Sequence, residues 1–347
     1  MKEKKLIAFI TLITMILVLS LSVAYAAPAK QKVYKWRAQT YAVPGSVGYK
    51  TLDQSLKDLK TATGGRLDIK LYGVGTLVGP VDQLDAVGKG MFECSFNAAA
   101  YYAGKDPAFA AFFSLIGVWD TTEDVKIWAY YFGGNKLVRE LYSKYNVYYV
   151  GPALVGAEPI MSTVPIRSLG DFKGLKIRTA GGLCGQLFKE LGASPVKMGG
   201  GDLYTAMDTG IVDAAEFVSL GENWDIGLHE VSKYVLYPSF HGPIAMCDFT
   251  VNQQVWDKLP QDLQAALEMC IFEMDAGFDY RSKAESIITL QKMLDAGLVH
   301  TQLSDADMKK AKQMSLQIAK KWKEKSPMSE KIIDSIFNYL KTAKKIE

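Results

Sequence analysis

Between residues 32 and 104 short extended segments alternate with helical ones, and this alternation constrains the fold more than any other feature. "KVYKWRAQTYA" (32–42) alternates in polarity, is rich in aromatic residues and reads as a strand. In 45–65, Leu52, Leu56 and Leu59 fall at helical spacing, and Gly64–Gly65 closes the helix. "RLDIKLYG" (66–73) is a second strand, "GPVDQLDAVGKG" (79–90) a short helix, and "MFECSFNAAAYYAG" (91–104) a strand entering a loop. A β-α-β-α-β order predicts an α/β domain with a mostly parallel sheet.

The same order recurs near residue 150 without a sequence repeat. Residues 121–146 hold two helical pieces split at Gly133–Gly134. After them come the strand "VYYVGPALVG", the loop and strand "RSLGDFKGLKIRTAGG", the helix "CGQLFKELG" and the short strand and turn "SPVKMGGGD". "DLYTAMDTG" is a helix leading to the apolar strand "VDAAEFV". Residues 234–256 read as a long extended stretch placed to cross between domains, and from Leu259 on the pattern is nearly all helical. The expected architecture is a two-domain α/β fold with a helical C-terminal region. Residues 33–150 form domain I, completed by part of 238–285. Residues 151–237 form domain II, completed by part of 286–304, and 305–347 form a tail. That tail is lysine-rich and amphipathic, with Met314, Leu316, Ile318 and Trp322 on its apolar side. It is either a solvated surface helix or a helix that packs on a partner subunit.

The first 26 residues stand apart. A basic start, "MKEKK", precedes the uncharged apolar run "LIAFITLITMILVLSLSV" and the small-x-small triplet Ala24, Tyr25, Ala26. This is the pattern of a secretory signal peptide cut after Ala26, which places the mature protein in the periplasm. An uncleaved membrane anchor is the alternative. Removing this segment's three lysines and one glutamate from 40 basic and 37 acidic residues leaves a net charge of about +1. Such a balance offers no footprint for nucleic acid or an anionic membrane. Cys94, Cys184, Cys247 and Cys270 are isolated and apolar in context, so buried free thiols are expected, with a bridged pair as the alternative. His229, His241 and His300 have no metal-ligand spacing.

No nucleophile elbow, P-loop, HExxH or dinucleotide fingerprint is present. "GGGD" (199–202) precedes a helix and could hold an anion, but no lysine follows at P-loop spacing, so a tight turn is the plainer reading. Two α/β domains without catalytic motifs point to a binding protein with its ligand in the interdomain cleft. "GDFKGLKIRTAGG" (170–182) then poses a question, because Arg178 is a permanent charge at the end of a buried strand. Its partner is either a bound anion or a carboxylate of the protein.

The run "DFKGLKIRTAGGLCGQLFKELGASPVKMGGGDLYTAMDTGIVDAAEFV" resembles the solute-binding subunit of tripartite ATP-independent periplasmic (TRAP) transporters. "YYAGKDPAF", "YFGG", "YNVYYVG", "ENWDIGL" and "KYVLYPSFHG" are similar to the subgroup that binds 2-oxo and 2-hydroxy monocarboxylates. The likeness covers roughly residues 33 to 340. It implies the periplasmic binding protein fold, no enzymatic activity, and delivery of a small organic acid such as pyruvate or lactate to membrane permease subunits. It places the signature arginine on Arg178, binding the ligand carboxylate through a two-pronged fork. Glu216 matches the subgroup's metal-binding glutamate, and the following carbonyl falls on Phe217, where the subgroup has tryptophan. Glu158 is the nearest match to a glutamine ligand of that subgroup, though its type differs. These donors suit a sodium or calcium ion bridging to the ligand; otherwise Glu216 pairs with Arg178 directly. Tyr101 or Tyr102 is placed to reach the cleft, with core packing as the alternative. His241 is a candidate pocket residue, and Phe240 a candidate apolar wall. The resemblance also implies a homodimer through the C-terminal helix. Two other functions stay open: a sensor that presents its ligand to a membrane receptor, and a secreted enzyme using Glu158 and Glu216 as an acid–base pair.

Overall fold

A computed structural model describes residues 1–5, 7, 9–11, 13–15, 31–113, 117–242 and 245–346. Its contacts divide the chain into two units, Met1–Tyr34 and Lys35–Glu347. In the first unit, residues 2–5, 7, 9–11 and 13–15 are helical and exposed, and the expected cleavage site at Ala24–Ala26 lies outside the described residues. Among the described residues no helix is long and apolar enough to cross a membrane.

The second unit begins with β1 (Tyr34–Thr40), α1 (Val47–Ala62), β2 (Leu67–Tyr72), α2 (Gln83–Gly88) and β3 (Cys94–Asn97). Three helices follow, α3 (Ala108–Phe113), α4 (Thr122–Tyr131) and α5 (Gly134–Ser143), then the long strand β4 (Val147–Val155). Next come β5 (Ile160–Ser162), β6 (Lys176–Thr179), α6 (Gly182–Glu190), β7 (Ser194–Lys197) and α7 (Leu203–Asp208). After β8 (Ala214–Glu216), α8 (Leu220–Asp225) and β9 (Tyr234–Leu236) the chain runs through β10 (Ala245–Asn252), α9 (Gln253–Asp257) and α10 (Gln261–Asp295). It closes with β11 (Val299–Thr301), α11 (Asp305–Trp322) and α12 (Pro327–Thr342).

The strands form two sheets, ordered β2-β1-β3-β10-β4 and β11-β9-β5-β8-β6-β7. Strand β4 leads out of the first sheet toward the second, and β10 returns. A returning strand enters from the opposite end, so β10 lies antiparallel to both β3 and β4. Only β10 is reversed: β1, β3 and β4 run the same way. Likewise β5 is antiparallel to β8 and β9, while β6 runs parallel to β7 and β8. The stretch 234–256 is therefore two strands in different sheets rather than one extended run. Beyond Leu259, β11 interrupts the helices by pairing with β9 at the edge of the second sheet.

Local signals account for individual elements. Ser46 caps α1 by accepting from the Tyr49 amide, and Leu52, Leu56 and Leu59 form its buried face. In the tail Lys309, Lys310, Lys320 and Lys321 are exposed, as in a surface helix. The apolar faces of α11 and α12 are spent on the chain's own core, where Ile318, Trp322, Ile332, Ile333, Ile336 and Leu340 are buried. Burial of side chains of this size stabilises by about 1.5–3 kcal/mol each. Polar ties fix the same packing: Trp322 Nε1 donates to the Pro107 carbonyl at 2.9 Å, and Tyr339 to Asp124 at 2.8 Å. All four cysteines are free thiols, with Cys270 only half-buried.

Candidate functional site

Arg178 is the third residue of β6, flanked by Val196 of β7 and Ala215 of β8. It is 1% exposed, so the permanent charge must be met inside the protein. Beyond it the backbone turns at Gly181 (φ +103°) and Gly182 (φ +66°), values at which a side chain would be strained. The chain thus leaves the sheet directly after presenting the guanidinium.

Four of the five guanidinium N–H donors have protein acceptors. Nε donates to the Met198 carbonyl at 3.1 Å. Nη1 donates to the Glu216 carbonyl and, at 3.1 Å, to Glu216 Oε2. Nη2 donates to the Tyr101 hydroxyl at 3.1 Å, and the Phe217 ring lies 5.3 Å from the guanidinium carbon. The second Nη2 proton is left for the cavity, so a two-pronged fork onto a ligand is not free as the guanidinium stands.

Glu216 ends β8 and is buried; besides Arg178, its carboxylate accepts from the Ala180 amide at 2.9 Å. Glu158, between β4 and β5, is pinned through its backbone. Its amide donates to the Gly242 carbonyl at 2.7 Å, and its carbonyl accepts from Ser239 Oγ at 2.5 Å. Its side chain is 16% exposed and sits 3.4 Å from His241 Nε2. One donor atom each from Glu158, Glu216 and His241 lie within 4.8 Å of one another.

Burial, and then the neighbouring Glu158 carboxylate, push Glu216 up to about 8, while Arg178 pulls the other way. Glu158 is also raised, chiefly by burial. Burial pushes His241 down to about 4, so its ring is neutral at ordinary pH. For Arg178 burial alone would lower the value, but the Glu216 carboxylate more than restores the charge. The ion pair is therefore the state in which Glu216 is most easily ionised.

One cavity, with about 60 Å³ open to the centre of a water-sized sphere, joins these groups. Arg178, Glu216, Phe217, Glu158, His241 and Tyr101 all line it. Two expectations resolve differently. Of the tyrosine pair, Tyr101 lines the cavity, whereas the Tyr102 hydroxyl is bound to Asn97 at 2.8 Å in the core. Phe240 is not a wall of the cavity; it packs in the core with ring centroids 5.3 Å from Phe172 and 6.2 Å from Phe188. The Phe217 carbonyl already accepts from Asn223 Nδ2.

Tyr41, Cys184, Val218, Gly242, Met246 and Cys247 also line the cavity, and sequence reasoning singled out none of them as a site residue. Both thiols are raised well above their usual value by burial, so neither is a nucleophile. Val218 has φ +31°, uncommon for a β-branched residue, and its backbone hydrogen-bonds Glu158. The sequence signal for Val218 and Cys184 was their nearness to Glu216 and to the glycines after Arg178.

The donor set fits a cation on its own chemistry. Two carboxylates meet a buried imidazole whose Nε2 has no hydrogen-bond partner. Arg178 with the Tyr101 hydroxyl, directly beside Glu216, fits an anion. The arrangement can hold a paired anion and cation out of water.

Comparison with known proteins agrees. Residues 39–325 match bacterial extracellular solute-binding protein, family 7. The monocarboxylate 2-oxoacid-binding periplasmic protein of a Nostoc species is 30% identical over 286 residues, 82% of this chain and 78% of the relative. A TRAP transporter solute-binding protein of Bordetella bronchiseptica, solved as a mixed-occupancy dimer with copurified calcium and picolinate, is 26% identical with a TM-score of 0.83. That match covers 90% of this chain and 93% of the other. One from Pseudoalteromonas atlantica with bound sodium and pyruvate is 25% identical with a TM-score of 0.82, covering 90% of this chain and 95% of the other. These relatives bind their substrates and are not enzymes, which removes the acid–base reading of Glu158 and Glu216. The chain belongs to family 7 of the bacterial extracellular solute-binding proteins and is a TRAP solute-binding protein.

Proposed function

We propose that this protein captures a small 2-oxo or 2-hydroxy monocarboxylate, of the pyruvate or lactate type, and delivers it to TRAP permease subunits. The observation that carries this reading is the convergence, in one buried cavity, of an anion-binding wall and a cation-binding wall. The ligand carboxylate accepts from the remaining Arg178 Nη2 proton and from the Tyr101 hydroxyl, which itself accepts from Arg178. Away from water these bonds strengthen. A cation held by Glu158, Glu216 and the Phe217 carbonyl bridges to the ligand; the relatives with sodium or calcium support this. Such an ion supplies positive charge for a carboxylate and an adjacent oxo or hydroxy oxygen.

The two sheets with their helices act as domains, with the boundaries given above, and close over the ligand. Contacts across the cleft support closure. Lys197 Nζ of β7 donates to the Tyr101 carbonyl at 3.2 Å. At the start of α1, the Val47 and Gly48 amides donate to Asp225 and Glu222 of α8 at 3.0 and 2.5 Å. Export follows the N-terminal signal peptide to the periplasm. The homodimer forms through α10, since the tail's apolar face is spent, whereas Met269, Phe272, Tyr280, Ile287 and Ile288 of that helix are exposed.

A thermal-shift screen over small mono- and dicarboxylates tests this, because a ligand that binds only the folded state raises Tm. Pyruvate, lactate or a near relative should raise Tm most. A rise confined to dicarboxylates or to neutral solutes would overturn the assignment.

A further inference from the structure

We infer that His241 contributes a nitrogen ligand to the cation of this cavity, so that the site selects a first-row d-block divalent metal such as Mn2+, Co2+ or Zn2+ over Na+ or Ca2+. The inference deepens the monocarboxylate reading above and rests on it for the identity of the acid beside the metal.

The argument begins with a single proton. Ser239 Oγ donates its only hydrogen to the Glu158 carbonyl at 2.5 Å. The 2.7 Å contact between Ser239 Oγ and His241 Nδ1 must then have the ring N–H as donor. In a neutral imidazole this leaves Nε2 as a bare lone pair, the tautomer that ligates metals. That atom belongs to a fully buried ring, has no hydrogen-bond partner, and faces Glu158 Oε2 at 3.4 Å. A lone pair opposite an ionised carboxylate oxygen repels it unless a proton or a metal cation lies between them, and a metal there takes up both donors at once.

The neighbourhood is built to hold these donors. Ser239 orients the imidazole, and the Ala180 amide orients Glu216. Gly242 makes room for Glu158, since a Cβ at that position would lie 2.7 Å from Glu158 Oε2. Ligand atoms about 2.1 Å from a shared metal lie within about 4.2 Å of one another. A set already within 4.8 Å reaches that with a small side-chain shift.

Ligand type and charge then choose the ion. Calcium and magnesium take oxygen donors almost alone, whereas imidazole suits zinc, copper, iron and nickel, and affinity for a mixed nitrogen and oxygen set rises from manganese through cobalt toward copper. Two carboxylates, one guanidinium, one monocarboxylate and one divalent cation have no net charge together. With Na+ the same buried assembly would be left with a net negative charge, which is costly away from water.

The test uses the full chain stripped by a chelator, then titrated in a calorimeter with MnCl2, ZnCl2, CaCl2 or NaCl alone. Zn2+ or Mn2+ should bind one per chain and at least tenfold more tightly than Ca2+. In His241→Gln, which replaces nitrogen by oxygen, that preference should vanish while the metal-free melting curve stays close to wild type. Ser239→Ala should weaken transition-metal binding about 10- to 100-fold by releasing the tautomer. If neither variant folds, pulsed electron paramagnetic resonance of Mn2+-loaded wild type decides, because bound imidazole gives a nitrogen coupling. Equal affinity for Ca2+ and Zn2+, an unchanged preference in His241→Gln, or no nitrogen coupling would each overturn the inference. Adding pyruvate separates the two readings. Pyruvate binding that needs only Na+ or Ca2+ removes the His241 ligand and keeps the function. A transition-metal preference without binding of any monocarboxylate does the reverse.

Discussion

Replacing Arg178 with methionine keeps an apolar stem in β6 and removes every guanidinium bond. The Met198 and Glu216 carbonyls and the Tyr101 hydroxyl lose their donor, and the buried Glu216 carboxylate loses its counter-ion. Breaking a buried pair by removing one partner costs about 3–5 kcal/mol. For a chain of this size that is a fall of roughly 4–7 °C in Tm. The cost depends on pH because Glu216, pushed up to about 8 by burial, escapes its charge by taking a proton. The full loss is therefore expected near pH 9 and a smaller one near pH 6. The double variant Arg178→Met, Glu216→Gln removes both charges and should recover most of the stability. It should not recover binding, since the anion wall is gone. Loss of a desolvated charged partner is worth about 2–5 kcal/mol, roughly 30- to 5,000-fold in Kd. Calorimetry with pyruvate and thermal unfolding across pH make the measurement. A single variant within 1 kcal/mol of wild type near pH 9, or one that binds the acid as wild type does, would refute the reasoning.

Further perturbations probe separate parts of the site. Tyr101→Phe keeps the ring and loses the hydroxyl that meets Arg178, so monocarboxylate affinity should fall by about 1.5–3 kcal/mol; unchanged calorimetric affinity would remove Tyr101 from the anion wall. Burial raises Glu216 to about 8 and Glu222, Asp248 and Asp275 each to about 7, so the folded state holds protons that the unfolded chain has released. Stability from these groups is fully present below the ordinary carboxylate range near 4 and is lost as pH rises from there to 7–8, about 1.4 kcal/mol per unit for each group. Below about 6.5 the neutral His241, held down to about 4, works in the opposite direction. Thermal unfolding of chelator-treated protein should therefore show Tm rising as pH falls from about 8 to about 6.5, and a flat profile would contradict the assignment. Glu222→Gln takes the charge from the start of α1, and small-angle scattering should then report a larger radius of gyration; an unchanged radius would deny the contact a part in closure. Ile287→Lys places a charge on the exposed row of α10 and should shift sedimentation from dimer to monomer, whereas a wild-type profile would exclude that face.

Much of this was legible along the chain because it depends on neighbours in sequence. The leucine stripe of α1 became its buried face, and the glycines after Arg178 became the turn that releases the strand. Arg178 itself stood out because a permanent charge at the end of an apolar strand requires an anion. Glu216 stood only as one of two candidate partners, since it lies on a different strand and the pairing of β6 with β8 is what brings the two together.

What the sequence determined by itself is the run of local elements, the charge that needed a partner, and the family pattern around it. Periodicity reports which face of a segment is apolar, not what will cover that face. The tertiary structure alone decided that β10 returns antiparallel and that the tail covers its own core. It also decided that Phe240 turns inward while His241, one residue on, faces the cavity. The physical reason is that Tyr101, Glu158, Arg178, Glu216 and His241 come from distant segments. They meet through contacts such as the Glu158 amide on the Gly242 carbonyl, whose partners are set by the packing of two sheets.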